Sequence, residues 1–495
     1  MIRRVGKVIV MPDESYVLAV DFGSTWCKAA YVNAAGKIIA LGRSYVRGGP
    51  EFGHDERELR RAWHGFIGSV REATERLAEA DPDSVPEAIA ISVRKAPGIW
   101  LDADGHAIGV PRDAIDHAGR IDIDTCYSSD VWGDDDAFAY GYSIDLLGNT
   151  RWLRRVFPEH WRRVRLAGTL HNWFLLRLTG QWLTSHAAGP VQDDWPEAAA
   201  ELTGLPLSAF PQVIADTAEV GELSSDLANE LGLPAGTPVI TGTHDGAAAN
   251  IGAGAIRPGE ACFTLGTNGV LRAVTGPRLP GQFGYTVTAE RWALVRDSVG
   301  MALRLDEVVR ALNDAGERVR AEHHEQLEAE ALESTPQPWL LAEMLRTDTA
   351  DLSKLVSRSL RSGHPPGQIY RTALEDATFR LLSLARIATK SGARIGRLVI
   401  TGGATNNRLL LKLIASALER TLQVSSPEAG LIGAGILATV GAGWFDSVDE
   451  AVGAMVQYQP AVVPEPGLVP IYAELVRTLN LPAGFAPGSR DAESL

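Results

Sequence analysis

VITGTHDGAAANIGAG is the sequence of Val239–Gly254, and it joins a short apolar strand, a glycine turn and an alanine-rich helix. The turn presents His244 and Asp245. A carboxylate between a strand end and a helix N-terminus lies where open α/β sheets usually place their chemistry. Two interpretations of Asp245 follow: a general base that takes a proton from a hydroxyl, or an N-cap of the helix.

Two strand–turn–strand units with similar turns occur in the two halves of the chain. The first turn is Asp21–Thr25 (DFGST), between strands Tyr16–Val20 and Cys27–Val32, and the second is Gly266–Gly269 (GTNG). Such turns can present N–H groups and hydroxyls to a phosphate, while an aspartate holds Mg²⁺ through water. A plain hairpin turn is the alternative for each. The repetition indicates a duplicated fold.

Two further apolar strands end in residues suited to ligands. Arg397–Thr401 opens into Gly402–Asn407 (GGATNN), where paired glycines let a nucleotide base and ribose approach the backbone closely. Ala88–Val93 ends in Arg94 and Lys95. These two cations are either surface residues or an anion-binding pair.

Three helical patterns have simpler interpretations. Glu56–Ala80 has an apolar face at helical spacing, and its charged residues are interpreted as a solvated face. His323 and His324 lie among glutamates, where we favour a solvated helix face over a metal site. Leu431–Trp444 is rich in glycine and alanine, which predicts a tightly packed helix.

Composition limits the class of protein. At 495 residues the chain is too long for a single hydrophobic core, which predicts two large domains. The net charge of −14 argues against a nucleic-acid or anionic-membrane surface, but not against an anionic substrate. Three cysteines without CxxC spacing indicate reduced thiols. No apolar run reaches the roughly 20 residues that span a membrane, and the N-terminus does not resemble a signal peptide, so we expect a cytoplasmic location.

Five segments, in order and spacing, resemble the FGGY carbohydrate kinases, a family that includes glycerol kinase, xylulokinase and gluconokinase. These segments are Asp21–Lys28 (DFGSTWCK), Gly242–Gly254 (GTHDGAAANIGAG), Leu265–Asn268 (LGTN), Thr401–Asn407 (TGGATNN) and Gly433–Trp444. The resemblance implies an α/β fold of two ribonuclease-H-like (actin/Hsp70-type ATPase) domains with an active-site cleft between them. The expected domains are residues 16–253 and 254–480, with flexible extensions at residues 1–15 and 481–495.

The resemblance also implies ATP as phosphoryl donor, Mg²⁺ as metal and a small carbohydrate as acceptor. Asp245 takes the position of the catalytic base, and Asp21 that of the residue that orders Mg²⁺. The other expected contacts are with phosphate, adenosine or substrate. Phosphate contacts are Gly23, Ser24, Thr25, Lys28, Gly266 and Thr267; adenosine contacts are Gly402, Gly403, Ala404 and Asn407; substrate contacts are Arg94, Lys95, His244 and Asp245.

The substrate segment departs from the family pattern. In Ile91–Ala96 (ISVRKA), Arg94 replaces a glutamine and Ala96 replaces an acidic or histidine residue of glycerol kinase and xylulokinase. Two substrate classes stay open: a sugar acid, whose carboxylate the two cations would bind, and a neutral polyol or ketose. The alternative function is an actin-like ATPase or a catalytically weak nucleotide-binding regulator. A homodimer is common in the family, and neither nucleic acid nor membrane is expected as a partner.

Overall fold

The computed structural model describes residues 4–5, 8–9, 15–46, 55–94, 98–110, 122–132, 143–190, 194–266, 268–288, 290–298, 300–313 and 319–479. The expected C-terminal extension, residues 481–495, lies outside this part of the chain. Most of the expected N-terminal extension does so too, and its described residues form one short antiparallel pair. Within the described ranges, no helix is both long and apolar enough to cross a membrane.

The strands and helices alternate along much of the chain. The strands are β1 (Arg4–Val5), β2 (Val8–Ile9), β3 (Tyr16–Phe22), β4 (Trp26–Asn33), β5 (Ile38–Tyr45), β6 (Pro86–Val93), β7 (Ile99–Leu101), β8 (Leu166–Gly168), β9 (Leu183–Ser185), β10 (Gln212–Ile214), β11 (Glu219–Glu222), β12 (Pro238–His244), β13 (Glu260–Leu265), β14 (Gly269–Thr275), β15 (Gly284–Thr288), β16 (Arg291–Ser298), β17 (Arg397–Thr401), β18 (Leu422–Ser425) and β19 (Tyr458–Val462). The helices are α1 (Glu56–Ala80), α2 (122–127), α3 (Ser143–Val156), α4 (Pro158–Trp161), α5 (Leu170–Thr179), α6 (Glu197–Thr203), α7 (Ser225–Leu231), α8 (Asp245–Gly252), α9 (Met301–Asn313), α10 (Ala321–Leu332), α11 (Pro338–Arg346), α12 (Leu352–Arg361), α13 (Pro366–Lys390), α14 (Arg408–Leu418), α15 (Ala429–Gly441), α16 (Val448–Met455) and α17 (Val469–Thr478).

The chain forms two compact units, and neither is continuous in sequence. The first contains residues 1–256, 276–293 and 428–457, and the second contains 257–275, 294–427 and 458–495. The first crossing between units falls close to the expected domain boundary after residue 253. Later segments then return to the first unit, which thereby acquires α15 and α16.

A six-stranded sheet organises the first unit, in the order β11-β12-β6-β3-β4-β5. Strands β3, β6 and β12 are parallel, while β3, β4 and β5 form the expected antiparallel meander. Leu18 and Val20 of β3 share an apolar core with Phe66 of α1, whereas Val17 and Ala19 are buried on the opposite face. The parallel strands are apolar along their length because both faces of the sheet are covered.

Helices α8 and α15 of the first unit approach each other at backbone distance. A Cβ on Gly433 would lie 2.0 Å from the Ala248 carbonyl oxygen, and a Cβ on Gly252 would lie 1.9 Å from that of Ala429. Only glycine fits at such a distance. The prediction that the small-residue segment forms a tightly packed helix is therefore confirmed.

The described strands of the second unit run in the order β16-β14-β13-β17-β18-β19, with β16 belonging to this unit from Leu294 onward. Strands β13, β17 and β18 are parallel, and β14 and β19 are antiparallel to their neighbours. Strand β13 thus lies between an antiparallel hairpin partner and a parallel strand, as β3 does in the first unit. The predicted duplication appears in the topology of the two sheets.

Gly433→Ala tests the close approach of α8 and α15. The added methyl group has no room beside the Ala248 carbonyl, so we expect the first unit to lose about 2 kcal/mol of stability. Thermal unfolding followed by circular dichroism measures this as a lower Tm. The matched control is Gly453→Ala in α16, where an added Cβ meets no atom within 4 Å and helix propensity favours alanine. Equal Tm values for the two variants would contradict the close packing.

Candidate functional site

Three parallel strands of the first unit end side by side. Phe22 of β3 pairs with Val93 of β6, and Val93 pairs with His244 of β12. The residues that follow β6 and β12 are Arg94 and Asp245, so they leave the sheet at the same edge. The Arg94 N–H donates to the Phe22 carbonyl at 2.8 Å, which fixes its backbone beside the end of β3.

A bulge in β12 determines how this strand ends. Gly242 has φ +69°, and a Cβ there would lie 2.0 Å from the Ile91 carbonyl oxygen. The Gly242 N–H donates to the Asp216 carbonyl at 3.0 Å, and the Thr241 carbonyl lies 2.9 Å from His171 Nε2. Because a carbonyl only accepts, His171 Nε2 donates. Burial lowers the pKa of His171 to about 4, so this histidine is a neutral structural donor.

His244, and not Asp245, is the N-cap of α8. Its Nδ1 accepts hydrogen bonds from the N–H groups of Gly246 at 3.0 Å and Ala247 at 3.4 Å. Asp245 occupies the first helical position with 47% of its side chain exposed. The helix N-terminus stabilises negative charge there. The interpretation of Asp245 as the N-cap is therefore wrong, because its neighbour His244 caps the helix.

The His244 ring has a second fixed contact. It meets the Tyr285 ring edge to face at 4.2 Å between centroids, and Tyr285 is buried. A Cβ on Gly246 would lie 2.6 Å from Tyr285 Oη. This crowding holds the His244 side chain, an expected substrate contact, in its capping position.

Asp21 lies near the end of β3 among charges of both signs. The Ser92 hydroxyl donates to Asp21 Oδ1 at 3.1 Å, and Lys28 is its cross-strand partner on β4. Burial, together with the negative charges of Asp245 and Glu428, raises the pKa of Asp21 to about 6. Lys28 and the Ser92 hydroxyl act in the opposite direction. Two carboxylates, those of Asp21 and Asp245, are thus close enough to repel each other.

Lys28, an expected phosphate contact, is engaged with another residue. Its Nζ lies 2.5 Å from Glu428 Oε2, and the other oxygen of Glu428 accepts from Arg43 at 3.0 Å. In the turn of Gly23, Ser24 and Thr25, the Gly23 N–H donates to the Trp26 carbonyl at 3.0 Å, and Ser24 is exposed.

Arg94 is a cation with carboxylates around it. Burial lowers its pKa, and the negative charges of Asp245 and Glu58 act in the opposite direction. Glu58 is only 6% exposed, in the first turn of α1, where its N–H donates to the Asp55 side chain at 2.8 Å. The prediction of a wholly solvated charged face on α1 is wrong at Glu58, because this end of the helix lies beside the site.

The second unit repeats the arrangement of strand ends with glycine turns. Thr264 of β13 pairs with Thr401 of β17, so the turns that begin at Gly266 and Gly402 lie next to each other. Gly402 has φ +98°, and a Cβ there would lie 2.5 Å from the Leu265 carbonyl oxygen. The position therefore requires glycine.

The remaining expected adenosine contacts follow Gly402. Gly403–Asn406 form one 3₁₀ turn, in which Gly403 is exposed and Ala404 half-buried. Asn407 is the N-cap of α14, with its Oδ1 accepting from the Leu410 N–H at 2.7 Å. Its Nδ2 donates to Tyr370 Oη at 3.1 Å. The Asn407 side chain is therefore engaged inside the second unit.

The structure brings Asp21, Arg94, His244 and Asp245 together in the first unit, and Gly266 and Gly402 in the second. Lys95 and Thr267 lie outside the described residues. Sequence reasoning missed five residues that surround the expected ones. They are Glu58, Ser92, Tyr285, Glu428 and Gly430, where a Cβ on Gly430 would lie 2.8 Å from Asp21 Oδ2. Glu428 and Gly430 directly precede the small-residue motif, which was the only signal for them.

Residues 142–252 match the family model for the N-terminal domain of the FGGY family of carbohydrate kinases, and residues 267–442 match that for the C-terminal domain. An L-fuculokinase from Salmonella typhi is 25% identical, over 90% of this chain and 96% of its own. A xylulose kinase from Staphylococcus xylosus is 23% identical, over 91% and 96%. The crystal structure of gluconate kinase from Lactobacillus acidophilus has a TM-score of 0.75 at 17% identity, covering 95% of this chain and 99% of that one.

Two α/β units with similar sheets define a two-domain fold of the actin and Hsp70 ATPase class, which confirms the predicted fold class. The two family models together match more than half of the chain. The chain belongs to the FGGY family of carbohydrate kinases. It is an enzyme, a phosphotransferase that uses ATP and has an alcohol group of a carbohydrate as acceptor.

Asp21→Asn tests the electrostatic environment of Asp21. The carboxyl pKa rises from 3.8 to about 6 on folding, so ionisation costs stability. That cost is absent below about pH 4, grows as the pH rises and is complete above about pH 6. We therefore expect Asp21→Asn to stabilise the protein by about 2 kcal/mol at pH 7.5, and by less at pH 5.

Thermal unfolding at both pH values, without nucleotide or metal, measures this difference. Asp104→Asn, on an exposed hairpin turn, is the matched control and should leave Tm unchanged at both. A lower Tm for Asp21→Asn at pH 7.5, or a larger gain at pH 5 than at pH 7.5, would show that the Asp21 carboxylate is not destabilised by its surroundings.

Proposed function

We propose that this kinase transfers the terminal phosphoryl group of ATP to a hydroxyl of a small sugar, with Asp245 as the general base. The observation that carries the proposal is the convergence of Asp245, Arg94 and Asp21 at the ends of three neighbouring parallel strands. Phosphoryl transfer requires a positioned hydroxyl and compensation of the phosphate charge, and the protein itself need do little covalent chemistry. This set of residues is suited to both requirements.

The position of Asp245 suits a base. His244 caps α8, and Asp245, in the first helical position, has a half-exposed side chain that a substrate can reach. In this proposal Asp245 accepts the proton of the attacking hydroxyl as the oxygen–phosphorus bond forms, and the ADP oxygen leaves with the electron pair of the broken bond.

Mg²⁺ is proposed as the metal, and the residues present fit it. Asp21 and Asp245 are two carboxylates whose mutual repulsion contributes to the raised pKa of Asp21. A divalent cation prefers oxygen ligands and would offset this repulsion. Asp21 would hold the metal, which would supply compensation for phosphate charge. Ser92 keeps the Asp21 carboxylate oriented through its hydroxyl.

The glycine turns are proposed as nucleotide contacts. Gly23, Ser24 and Thr25 in the first unit, and Gly266 with Thr267 in the second, would bind phosphates through backbone N–H groups and hydroxyls. Lys28 would contribute positive charge from its ion pair with Glu428. Adenosine would lie against Gly402, Gly403 and Ala404. Asn407 would hold this turn in place.

The charges around Arg94 favour a neutral polyol or ketose as substrate. Glu58 and Asp245 already act on this guanidinium, and Asp21 adds a third carboxylate to the same neighbourhood. A sugar acid would bring one more negative charge. We therefore propose that Arg94, and Lys95 beside it in sequence, donate hydrogen bonds to sugar hydroxyls. The named relatives are an L-fuculokinase, a xylulose kinase and a gluconate kinase, so both substrate classes belong in the test.

Asp245→Asn tests the role of the base. Asparagine keeps the size of the side chain but cannot take the proton, so we expect sugar-dependent kcat to fall by about 10²–10⁴-fold with a KM for ATP near that of wild type. The measurement is ADP release with Mg-ATP and a panel of polyols, ketoses and aldonic acids.

Asp226→Asn, on the solvent-exposed start of α7, is the control and should retain wild-type turnover. ATP hydrolysis that is independent of every sugar and unaffected by Asp245→Asn would instead indicate an actin-like ATPase or a nucleotide-binding regulator.

Arg94→Gln tests the substrate class on the same panel. Loss of the guanidinium hydrogen bonds to sugar hydroxyls should raise the KM for the best polyol or ketose by about tenfold, with aldonic acids poor substrates of both enzymes. The exposed Arg60 of α1 provides the control, Arg60→Gln, which should behave as wild type. If an aldonic acid is the best wild-type substrate and the Arg94 variant loses selectively on it, Arg94 is a carboxylate-binding residue.

A further inference from the structure

Four side chains of the second unit form one hydrogen-bonded chain that ends at the proposed adenosine turn. Asp306 Oδ1 of α9 lies 3.2 Å from His324 Nε2 of α10. His324 Nδ1 lies 2.9 Å from Tyr370 Oη of α13. Tyr370 Oη accepts from Asn407 Nδ2 at 3.1 Å. His324 is thus not the solvated helix residue expected from the sequence, because both of its ring nitrogens contact other helices.

The hydrogen bonds that link these four side chains can run in one direction in which every donor meets an acceptor. The Asp306 carboxylate accepts, so His324 Nε2 carries the proton and, in a neutral ring, Nδ1 accepts. Tyr370 donates its hydroxyl proton to Nδ1 and accepts from Asn407. Burial, followed by the negative charges of Glu328 and Asp306, raises the pKa of Tyr370, so its hydroxyl remains a donor at neutral pH.

This direction determines the orientation of the Asn407 amide. Its Nδ2 faces Tyr370, so its Oδ1 faces the Leu410 N–H and caps α14. The reversed amide would place N–H against N–H at the helix start. The Tyr370 hydroxyl and the Leu410 N–H therefore favour the same orientation of the Asn407 amide.

A second contact comes from the same helix as His324. Glu328 Oε1 accepts from the Leu409 N–H at 2.8 Å, in the first turn of α14. The Asn407 N–H in turn donates to the Ala404 carbonyl at 3.1 Å, which closes the Gly403–Asn406 turn. Helix α10 is therefore connected to this region in two ways: indirectly to Asn407 through Tyr370, and directly to Leu409, two residues beyond Asn407.

We propose that His324 and Tyr370 are positioning residues for the nucleotide, acting through Asn407 on the Gly402–Asn407 turn. The inference rests on the proposed function, because it takes this turn to be the adenosine contact. Its consequence is that these residues set the affinity for nucleotide and leave the transfer step itself unchanged. Neither residue is required to touch the nucleotide.

Tyr370→Phe and His324→Leu break the chain at two different links. Phenylalanine keeps the buried ring of Tyr370 and removes only the hydroxyl. We expect each variant to raise the KM for Mg-ATP and the Kd for ADP about fivefold, with kcat and the KM for sugar within about twofold of wild type. Steady-state kinetics and isothermal titration calorimetry with ADP measure these constants.

Two further variants distinguish positioning from a general loss of structure. The double variant should be no worse than either single one, because both remove the same connection to Asn407. His324→Asn places an amide oxygen near the position of Nδ1 and should recover most of the nucleotide affinity. His323→Leu is the matched control, one residue away on α10, bonded to the Arg320 N–H and not to Tyr370.

The outcomes separate this inference from the proposed function. Unchanged ATP and ADP constants in Tyr370→Phe and His324→Leu, in an enzyme with sugar-dependent ADP release, would overturn the positioning role alone. A fall in kcat and Tm without a change in nucleotide affinity would also overturn it, in favour of a purely structural role. Wild-type protein that neither binds ADP nor releases it with any sugar would overturn the proposed function, and the inference with it.

Discussion

The in-register pairing of the parallel strands β3, β6 and β12 is the constraint on which the site of the first unit depends. Because parallel strands end at one edge, pairing of Phe22, Val93 and His244 carries three separate chain segments to the same place. A shift of one residue would turn each side chain to the other face. The bulge at Gly242, held by the Asp216 carbonyl, adjusts the end of β12 within this register.

The charges that converge at this strand edge lower the stability of the fold. Asp21 is half-buried beside Asp245, and Lys28 forms an ion pair with Glu428, which lies at the start of α15. Small residues make this arrangement possible, because Gly430 leaves room for the Asp21 carboxylate. Like-charged groups that a ligand would relieve are common at catalytic sites, where they are retained for function and not for stability.

The sheet of the second unit has a similar topology, but other residues hold its turns in place. Its glycine turns also follow adjacent parallel strands. Polar contacts from neighbouring helices hold the region after β17, among them Glu328 with Leu409 and Tyr370 with Asn407. Duplication of the sheet therefore preserved where the turns lie. The side chains that hold each turn differ between the units because different helices pack beside them.

The sequence by itself determined the strands, the glycine turns, the helix of Glu56–Ala80 and the family, because these depend on local periodicity and on motifs read along the chain. It could not show that His244, and not Asp245, caps α8, nor reveal that Glu58 is buried. Glu58 is buried because α1 starts beside Arg94, and the His244 ring is held in its capping position against the distant Tyr285. Only tertiary structure decided them, because burial and electrostatic interaction depend on distance in space.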